Sequence, residues 1–163
     1  MEEMRKQILK YLEKNSRVAL GELAVLLDCD ETDIANEMAQ MEKEKIICGY
    51  HTLIDWDKAG EECVNALIEV SVKPQRDKGF DKTAERICHY PEVTAVYLTS
   101  GGYDLIVTVE GKTLLEVSRF VSGKLSPIED VISTTTHFIL KKYKDHGTLM
   151  FQKSKSERML VTP

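Results

Sequence analysis

Two polar side chains in the N-terminal third of the chain could read the edge of a DNA base. Asn36 and Gln40 lie four positions apart, so that on a helix they share one face. Carboxamide side chains can pair with both the donor and the acceptor that adenine shows in the major groove. This segment therefore has residue types suited to reading DNA. Basic residues nearby that could contact phosphates are Lys14, Arg17, Lys43 and Lys45.

The charge of the same segment argues against a phosphate partner. Residues 30–44 hold six carboxylates and one lysine, Lys43. Residues 1–60 contain thirteen Asp and Glu against eight Lys and Arg, whereas residues 61–163 contain fourteen of each. DNA binders usually show the opposite balance, because Lys and Arg supply most of the non-specific affinity. On a helical wheel the predicted outward face carries Asp33, Asn36, Glu37 and Gln40.

A second group of residues, in the C-terminal half, could bind a small charged ligand. The glycines of Gly101-Gly102-Tyr103-Asp104 permit a tight turn and expose backbone amides to a carboxylate. Asp104 could hold an ammonium group. Thr134 and Thr136 lie two positions apart on a predicted strand, so both hydroxyls face one side. The alternative is a plain hairpin turn, with Asp104 as a turn acceptor and threonines that simply favour a strand.

The remaining polar residues form no catalytic or metal-binding pattern. The four histidines lack an H-x-x-x-H spacing, and neither a glycine-rich phosphate loop nor a nucleophile elbow is present. The four cysteines lie 19, 15 and 25 positions apart without a C-x-x-C pair, which fits reduced thiols in a cytosol. The sequence also lacks an apolar run of about 18 residues, the length of a membrane span. We therefore expect no catalytic residue, no metal and no membrane partner.

Three amphipathic helices are predicted to position the first group of residues. Asp30 is a suitable N-cap for the third helix, and Glu31 and Asp33 lie in a first turn that favours acids. A short strand at Ile46-Ile47 and a turn at Gly49-Tyr50 are predicted to follow. The apolar stripes that predict the helices are Met4, Ile8 and Leu12; Leu20, Leu23 and Leu27; and Ile34, Met38 and Met41.

After residue 60 the hydrophobic period changes from that of a helix to that of a strand. Strands and helices then alternate, with prolines at several of the boundaries. The order β-α-β-β-α-β is that of a ferredoxin-like sandwich. The predicted elements are a strand at 64–72, a helix at 80–88, strands at 93–100 and 104–110, a helix at 114–125 and a strand at 131–143.

The order and spacing of five segments resemble the Lrp/AsnC family of bacterial and archaeal transcriptional regulators. The resemblance implies an α+β fold, with an N-terminal three-helix winged helix-turn-helix and a C-terminal βαββαβ ferredoxin-like sandwich. It implies a helix-turn-helix domain with a connecting strand at 1–60, an oligomerisation and effector-binding domain at 61–145, and an extension at 146–163. The segments are ILKYLEKNSRV, ELAVLLDCDETDI, MEKEKIICGYHTLID, PEVTAVYLTSGGYDLIVTVEG and ISTTTHFILKKYK.

The resemblance also implies a function, that of a cytoplasmic, DNA-binding transcriptional regulator without a cofactor. Residues 30–44 would be its recognition helix. The second domain would form homodimers by joining sheets, assemble into octamer-like rings, and bind an amino acid or related metabolite between dimers. The ligand would change assembly or DNA affinity. The expected DNA contacts are Thr32, Asp33, Asn36, Glu37, Gln40 and Lys43, and the expected effector contacts are Gly101, Gly102, Tyr103, Asp104, Thr134 and Thr136.

This chain departs from the family pattern at the recognition helix. Glu37 stands where the family has an arginine, and Lys45 stands where it has a glycine. Three interpretations stay open: the outward face is merely solvated, it still reads DNA, or it contacts a protein. The third would leave a metabolite-sensing oligomer whose acidic helix-turn-helix no longer binds DNA.

Overall fold

A computed structural model of the chain describes residues 2–74 and 79–151. The chain divides into two compact units, Met1–Leu53 and Ile54–Pro163. Each unit has its own hydrophobic core. The first is helical and the second combines helices with a sheet, which confirms the predicted α+β class.

Unit 1 contains the three predicted helices. They are α1 (Glu2–Lys14), α2 (Leu20–Leu27) and α3 (Glu31–Lys43). One apolar stripe of each helix faces the common core, as the helical period predicts. The buried core residues are Ile8, Leu12, Leu23, Ile34 and Met41.

The ends of the helices in unit 1 differ from the prediction at two points. Asp30 takes the predicted N-cap position of α3, yet its side chain makes no capping hydrogen bond. The amides of Ile46 and Ile47 both donate to the carbonyl oxygen of Met41, at 2.9 and 3.2 Å. The predicted strand at Ile46-Ile47 is therefore wrong, because these amides close the end of α3 instead of pairing with a strand.

Lys45 adopts a left-handed backbone conformation directly after α3. Its φ is 61°, the conformation in which helices commonly end on glycine. This is the position where the family pattern has glycine. Lys45 therefore holds a conformation that glycine would adopt with less strain.

Unit 2 begins with a short helix, α4 (Trp56–Ala59), followed by a four-stranded sheet with two helices. All neighbouring strands are antiparallel, in the order β2-β3-β1-β4. The connectivity is that of the predicted ferredoxin-like sandwich. The elements are β1 (Val64–Val72), α5 (Asp81–Cys88), β2 (Val93–Leu98), β3 (Leu105–Gly111), α6 (Leu114–Phe120) continued by a π-helical turn (Val121–Leu125), and β4 (Val131–Phe138).

The two faces of this sheet differ in their surroundings. On β1 the buried residues alternate with half-buried ones, and the buried set packs with residues of α5 and α6. The opposite face stays open to solvent, and it includes Leu67, Glu69 and Tyr97. On that face His137 Nε2 lies 3.3 Å from Glu69 Oε1. Among the described residues, the core of unit 2 therefore lies on one side of the sheet.

The last strand of the sheet is shorter than predicted. The sequence predicts a strand over 131–143, whereas β4 ends at Phe138. Ile139 still donates to Asn65, but β1 begins at Val64, so the chain beyond has no neighbouring strand to pair with. It turns instead into a small hairpin, β5 (Lys144–Asp145) and β6 (Thr148–Leu149). The sequence leaves the tail from Phe151 to Pro163 unassigned, and all of it except Phe151 lies outside the described residues.

Candidate functional site

The outward face of α3 carries a narrow polar stripe. Ile34 and Met41 are buried, so the opposite side of the helix points to solvent. Thr32, Asn36 and Lys43 lie on that side and are exposed. The spacing of four and seven positions places them one above the other along the helix. These three residues are the candidates that could enter a groove together.

Glu37 does not belong to this stripe. Its Oε2 accepts a hydrogen bond from Arg5 Nε of α1 at 2.6 Å, and the Glu37 side chain is 16% exposed. The prediction that Glu37 shares the outward face is therefore wrong. The position lies at the edge of the buried stripe, where the arginine of α1 draws the carboxylate toward the neighbouring helix.

The same arginine holds a second carboxylate, two helical turns further on. Arg5 Nη1 donates to Glu44 Oε2 at 2.8 Å, and Gln40 Nε2 donates to Glu44 Oε1 at 2.6 Å. The hydrogen bond from Arg5, followed by that from Gln40, lowers the pKa of Glu44 below its ordinary value. The bonds to Glu44 and then to Glu37 raise the pKa of Arg5. Gln40 is thus engaged within the protein.

Two further acids of this segment are turned toward unit 1 itself. Tyr50 donates its hydroxyl to Glu42 Oε1 at 2.8 Å. The carboxylate of Glu31 lies over Gly21, where an added Cβ would be 2.7 Å from its Oε1. Four of the six carboxylates therefore have positions set by other residues of the unit. The other two, Asp30 at the N-cap and Asp33 beside the outward stripe, are exposed.

The four basic residues that the sequence offers for phosphate contacts are all exposed. They are Lys14, Arg17, Lys43 and Lys45, and Lys43 lies within the stripe itself. The backbone amide of Arg17 donates to Asn15 Oδ1 at 3.0 Å, which fixes the turn between α1 and α2. Each of the four cations is therefore accessible to a phosphate backbone.

In unit 2 the predicted effector turn is a six-residue loop between β2 and β3. Asp104 joins this loop to the C-terminal end of β1. The amide of Asp104 donates to Val70 O at 3.1 Å, and its Oδ2 accepts from the amide of Val72 at 2.8 Å. The hydroxyl of Thr99 donates to the carbonyl of Tyr103 at 3.1 Å. Asp104 is therefore a structural acceptor in the folded chain, whatever else it binds.

The two glycines of this loop are not required by its backbone. Neither Gly101 nor Gly102 has a positive φ, and a Cβ added to either would meet nothing within 4 Å. The loop therefore does not depend on a backbone conformation that only glycine adopts readily. Their effect is to leave open space above the backbone of an exposed loop, where another molecule can approach closely.

Thr134 and Thr136 lie on the helix side of β4, next to the buried residues of β1. Thr134 pairs with Val70, which in turn pairs with Leu105 directly after Asp104. The structure thus brings Asp104 and Thr134 to the same end of the sheet, two strands apart. Thr134 Oγ1 also lies 3.4 Å from Ser126 Oγ, a residue that the sequence did not indicate.

Arg5 is the residue of this site that the sequence analysis missed. The sequence feature that could have indicated it is the position of a basic residue next to the apolar stripe of α1, directly after Met4 and three positions before Ile8. A cation at that place on a three-helix core faces a neighbouring helix, and α3 is rich in acids. Which acid it would meet depends on the packing of the two helices, which the sequence does not give.

The described residues offer neither a metal site nor a membrane span. Within 2–74 and 79–151, no group of three or more His, Cys, Asp or Glu side chains could hold a metal ion. Nor does any helix of these segments reach the length and apolarity that crossing a bilayer requires.

Known proteins resemble this chain over most of its length. A family model described as the Lrp/AsnC ligand binding domain matches residues 65–149. An uncharacterized HTH-type transcriptional regulator of Bacillus subtilis, YugG, is 44% identical over 162 residues, which cover 99% of this chain and 98% of the relative.

Solved structures share the fold. The crystal structure of PH0061 superposes with a TM-score of 0.74 at 25% identity, covering 87% of this chain and 94% of the other. The L-Met complex of the transcriptional regulator NMB0573 from Neisseria meningitidis gives a TM-score of 0.70 at 22% identity, covering 89% and 93%.

Proposed function

The chain belongs to the Lrp/AsnC family of HTH-type transcriptional regulators, and we propose that it acts as an amino-acid-responsive, DNA-binding homo-oligomer in the cytoplasm. Like its relatives and the other members of its family, the protein is a transcriptional regulator and not an enzyme. The proposal concerns what the regulator binds and how it assembles.

One observation carries the DNA-binding part of the proposal. Three of the six acids of residues 30–44 are bonded to Arg5 or Tyr50: Glu37, Glu42 and Glu44. The stripe of Thr32, Asn36 and Lys43 is left to meet a groove. The net charge of the segment is therefore a poor guide to the potential at its outward face.

The roles of the individual side chains follow from their chemistry. Asn36 would pair with an adenine edge, and Lys43 would contact a phosphate beside it. Lys14, Arg17 and Lys45 would add phosphate contacts. Gln40 would contribute less than an unbonded glutamine, because Glu44 already accepts from its Nε2. With few cations, one module should bind weakly, and pairing of modules in an oligomer would raise the affinity.

The effector would be an amino acid bound at the loop of residues 101–104. Exposed amides at Gly101 and Gly102 would hold its carboxylate, and Asp104 its ammonium group. Tyr103, Thr134 and Thr136 would complete the site. The similarity to a regulator that was solved as an L-Met complex supports an amino acid as the class of ligand, but it does not identify which amino acid this chain binds.

Assembly would use the open face of the sheet. Two copies stacked through this face would bury Leu67 and Tyr97, whose side chain is 57% exposed in the single chain. Dimers would then join further, into octamer-like rings, with the effector loop at their contacts. An amino acid that binds one assembly better than another would shift the equilibrium between them, and with it the spacing of paired helix-turn-helix modules.

The experiment adds each of the twenty amino acids in turn to the purified full-length protein. Melting temperature reports binding, and fluorescence anisotropy of a labelled duplex from the region upstream of the protein's own gene reports DNA release. One amino acid that raises the melting temperature and also changes DNA affinity is the expected result. A panel that changes neither would contradict the amino-acid response.

A second candidate function rests on a different surface of unit 1. Val25 is 83% exposed, and Leu26 and Tyr11 are also exposed. Such apolar exposure can mark a protein contact. In this function the oligomer would still sense a metabolite, but its helix-turn-helix would bind a protein, and the duplex would show no salt-sensitive binding.

A further inference from the structure

We infer that Arg5 is a positioning residue for DNA binding, which acts by holding Glu37 and Glu44 away from the outward stripe of α3. The inference rests on the proposed DNA-binding function and deepens it. Arg5 lies on α1 and would not itself need to touch DNA. Its role is to make an acidic recognition helix compatible with a phosphate partner.

The guanidinium of Arg5 forms a fork, in which one nitrogen donates to Glu37 and another to Glu44. Nε donates to Glu37 at 2.6 Å and Nη1 donates to Glu44 at 2.8 Å. The two glutamates are seven positions apart, so they lie on the same side of α3, two turns from each other. The Arg5 side chain is 26% exposed, which shields the fork partly from water.

Only an arginine side chain can serve both acids in this way. The guanidinium is planar and presents several donors in a fixed arrangement, whereas a lysine has one ammonium group on a flexible stem. Glu44 is held further by Gln40, so that the three side chains form one network on the flank of α3. The network fixes where two negative charges of the helix reside.

Loss of Arg5 would change the face that meets DNA. Glu37 and Glu44 would both lose their cation, so that Glu37 could occupy other rotamers while Glu44 would keep only the hydrogen bond from Gln40. Each would lie within one helical turn of a residue of the outward stripe: Glu37 of Asn36, and Glu44 of Lys43. Repulsion from phosphates would then lower DNA affinity, most of all at low salt, where charges are least screened.

The test compares two variants that remove the same charge from the same helix. Arg5→Gln breaks the fork, whereas Lys6→Gln removes a neighbouring cation that pairs with Glu2 at 3.3 Å and is 58% exposed. Binding is measured by anisotropy with the labelled upstream duplex at two salt concentrations. We expect about a tenfold loss of affinity for Arg5→Gln at low salt, and about threefold or less for Lys6→Gln.

A second variant separates positioning from general damage to the fold. In the Arg5→Gln background, Glu37→Gln and Glu44→Gln remove the two acids that Arg5 holds. If Arg5 acts through them, this triple variant recovers the wild-type affinity to within about threefold. Circular dichroism melting of each variant checks that the three helices remain folded. Arg5→Lys, which keeps the charge but not the fork, should fall between wild type and Arg5→Gln.

Each outcome supports or overturns the inference. Equal losses for Arg5→Gln and Lys6→Gln would overturn it, since the fork would then have no effect of its own. A loss that removal of the two glutamates does not reverse would show that Arg5 contacts DNA directly, which also overturns it. A wild-type protein that does not bind the duplex would refute the proposed DNA-binding function, and the inference with it; equal losses in a wild type that binds would refute the inference alone.

Discussion

Arg5 donates its Nε–H to the carboxylate of Glu37 at 2.6 Å, and this contact joins the first helix to the third. Glu37 is the residue whose charge argued most directly against DNA when only the sequence was considered. In the folded unit that charge is compensated and faces α1. The acidity of the segment is thus a property of the flanks of α3, while its outward stripe is nearly neutral.

Asn36→Ala tests whether the stripe reads bases. We expect it to weaken binding of the upstream duplex by about 1 to 3 kcal/mol and to leave a scrambled duplex unaffected, because only base-edge contacts carry sequence information. Lys43→Gln is the matched comparison. It should weaken both duplexes alike and lower the salt slope by about 1. Equal effects of Asn36→Ala on both duplexes would contradict base reading.

Asp104→Asn tests the ammonium contact without disturbing the loop. Asp104→Ala would leave the amide of Val72 without its acceptor, at a cost of about 1 to 3 kcal/mol, since Val72 is buried. Asparagine keeps an acceptor oxygen and removes the charge. We expect a near-normal melting temperature and the loss of amino-acid-induced stabilisation. Asp57→Asn, an exposed acid of α4, should retain that stabilisation. If both variants respond like wild type, Asp104 does not bind the effector.

Leu67→Glu tests assembly through the open sheet face. Leu67 is half-buried on the central strand β1, beside Thr108 and His137 of its neighbours. A carboxylate buried between two sheets would be strongly unfavourable, so sedimentation velocity should show a shift toward monomer. Leu115→Glu changes an exposed leucine of α6 and should leave the sedimentation unchanged. An unaltered oligomer in Leu67→Glu would place the contact elsewhere.

Lys45→Gly tests the left-handed end of α3. Because φ is 61° there, glycine should raise the free energy of unfolding by about 1 kcal/mol. Ala39→Gly, inside the helix at an exposed position, should lower it by about the same amount. Urea unfolding of both variants measures the difference. A destabilised Lys45→Gly would mean that the Lys45 side chain makes a contribution that outweighs its backbone strain.

The pH dependence of stability tests the Arg5–Glu44 contact. Hydrogen bonds from Arg5 and Gln40 lower the folded-state pKa of Glu44 from its ordinary value of 4.5. A lowered folded pKa stabilises the protein above pH 4.5 and loses that effect as the pH falls through the folded value. Wild type should therefore exceed Glu44→Gln in stability at neutral pH, and the difference should shrink in acid. A difference that does not change with pH would contradict the ion pair.

Hydrophobic periodicity predicted most of the fold, because a helix or strand that buries one face has apolar residues at regular intervals in the sequence. The stripes at Ile8, Leu23 and Ile34 gave the three helices, and alternation gave β1. The errors were at the ends of helices and strands, where local hydrogen bonding, and not the hydrophobic period, determines the backbone conformation. Ile46 and Ile47 are apolar enough for a strand, but their amides are taken by Met41. The residues after Phe138 are strand-like, but they lie beyond the first residue of β1, Val64, and so have no strand to pair with.

The candidate sites were less predictable than the fold, because their geometry depends on contacts between elements. A helical wheel places Glu37 near the outward face, yet it cannot show that Arg5 lies across from it. Likewise the sequence offers Asp104 as a ligand for ammonium but not the amide of Val72 that it already accepts from. Whether a turn needs glycine also depends on the φ values of its backbone, and φ is not positive at Gly101 or at Gly102.

The most direct test of DNA reading by α3 is a titration of the labelled upstream duplex with wild-type protein at two salt concentrations, beside a scrambled duplex of equal composition. We expect salt-sensitive binding that is tighter for the upstream sequence. Binding that is absent even at low salt, with and without amino acids, would contradict the claim that α3 reads DNA.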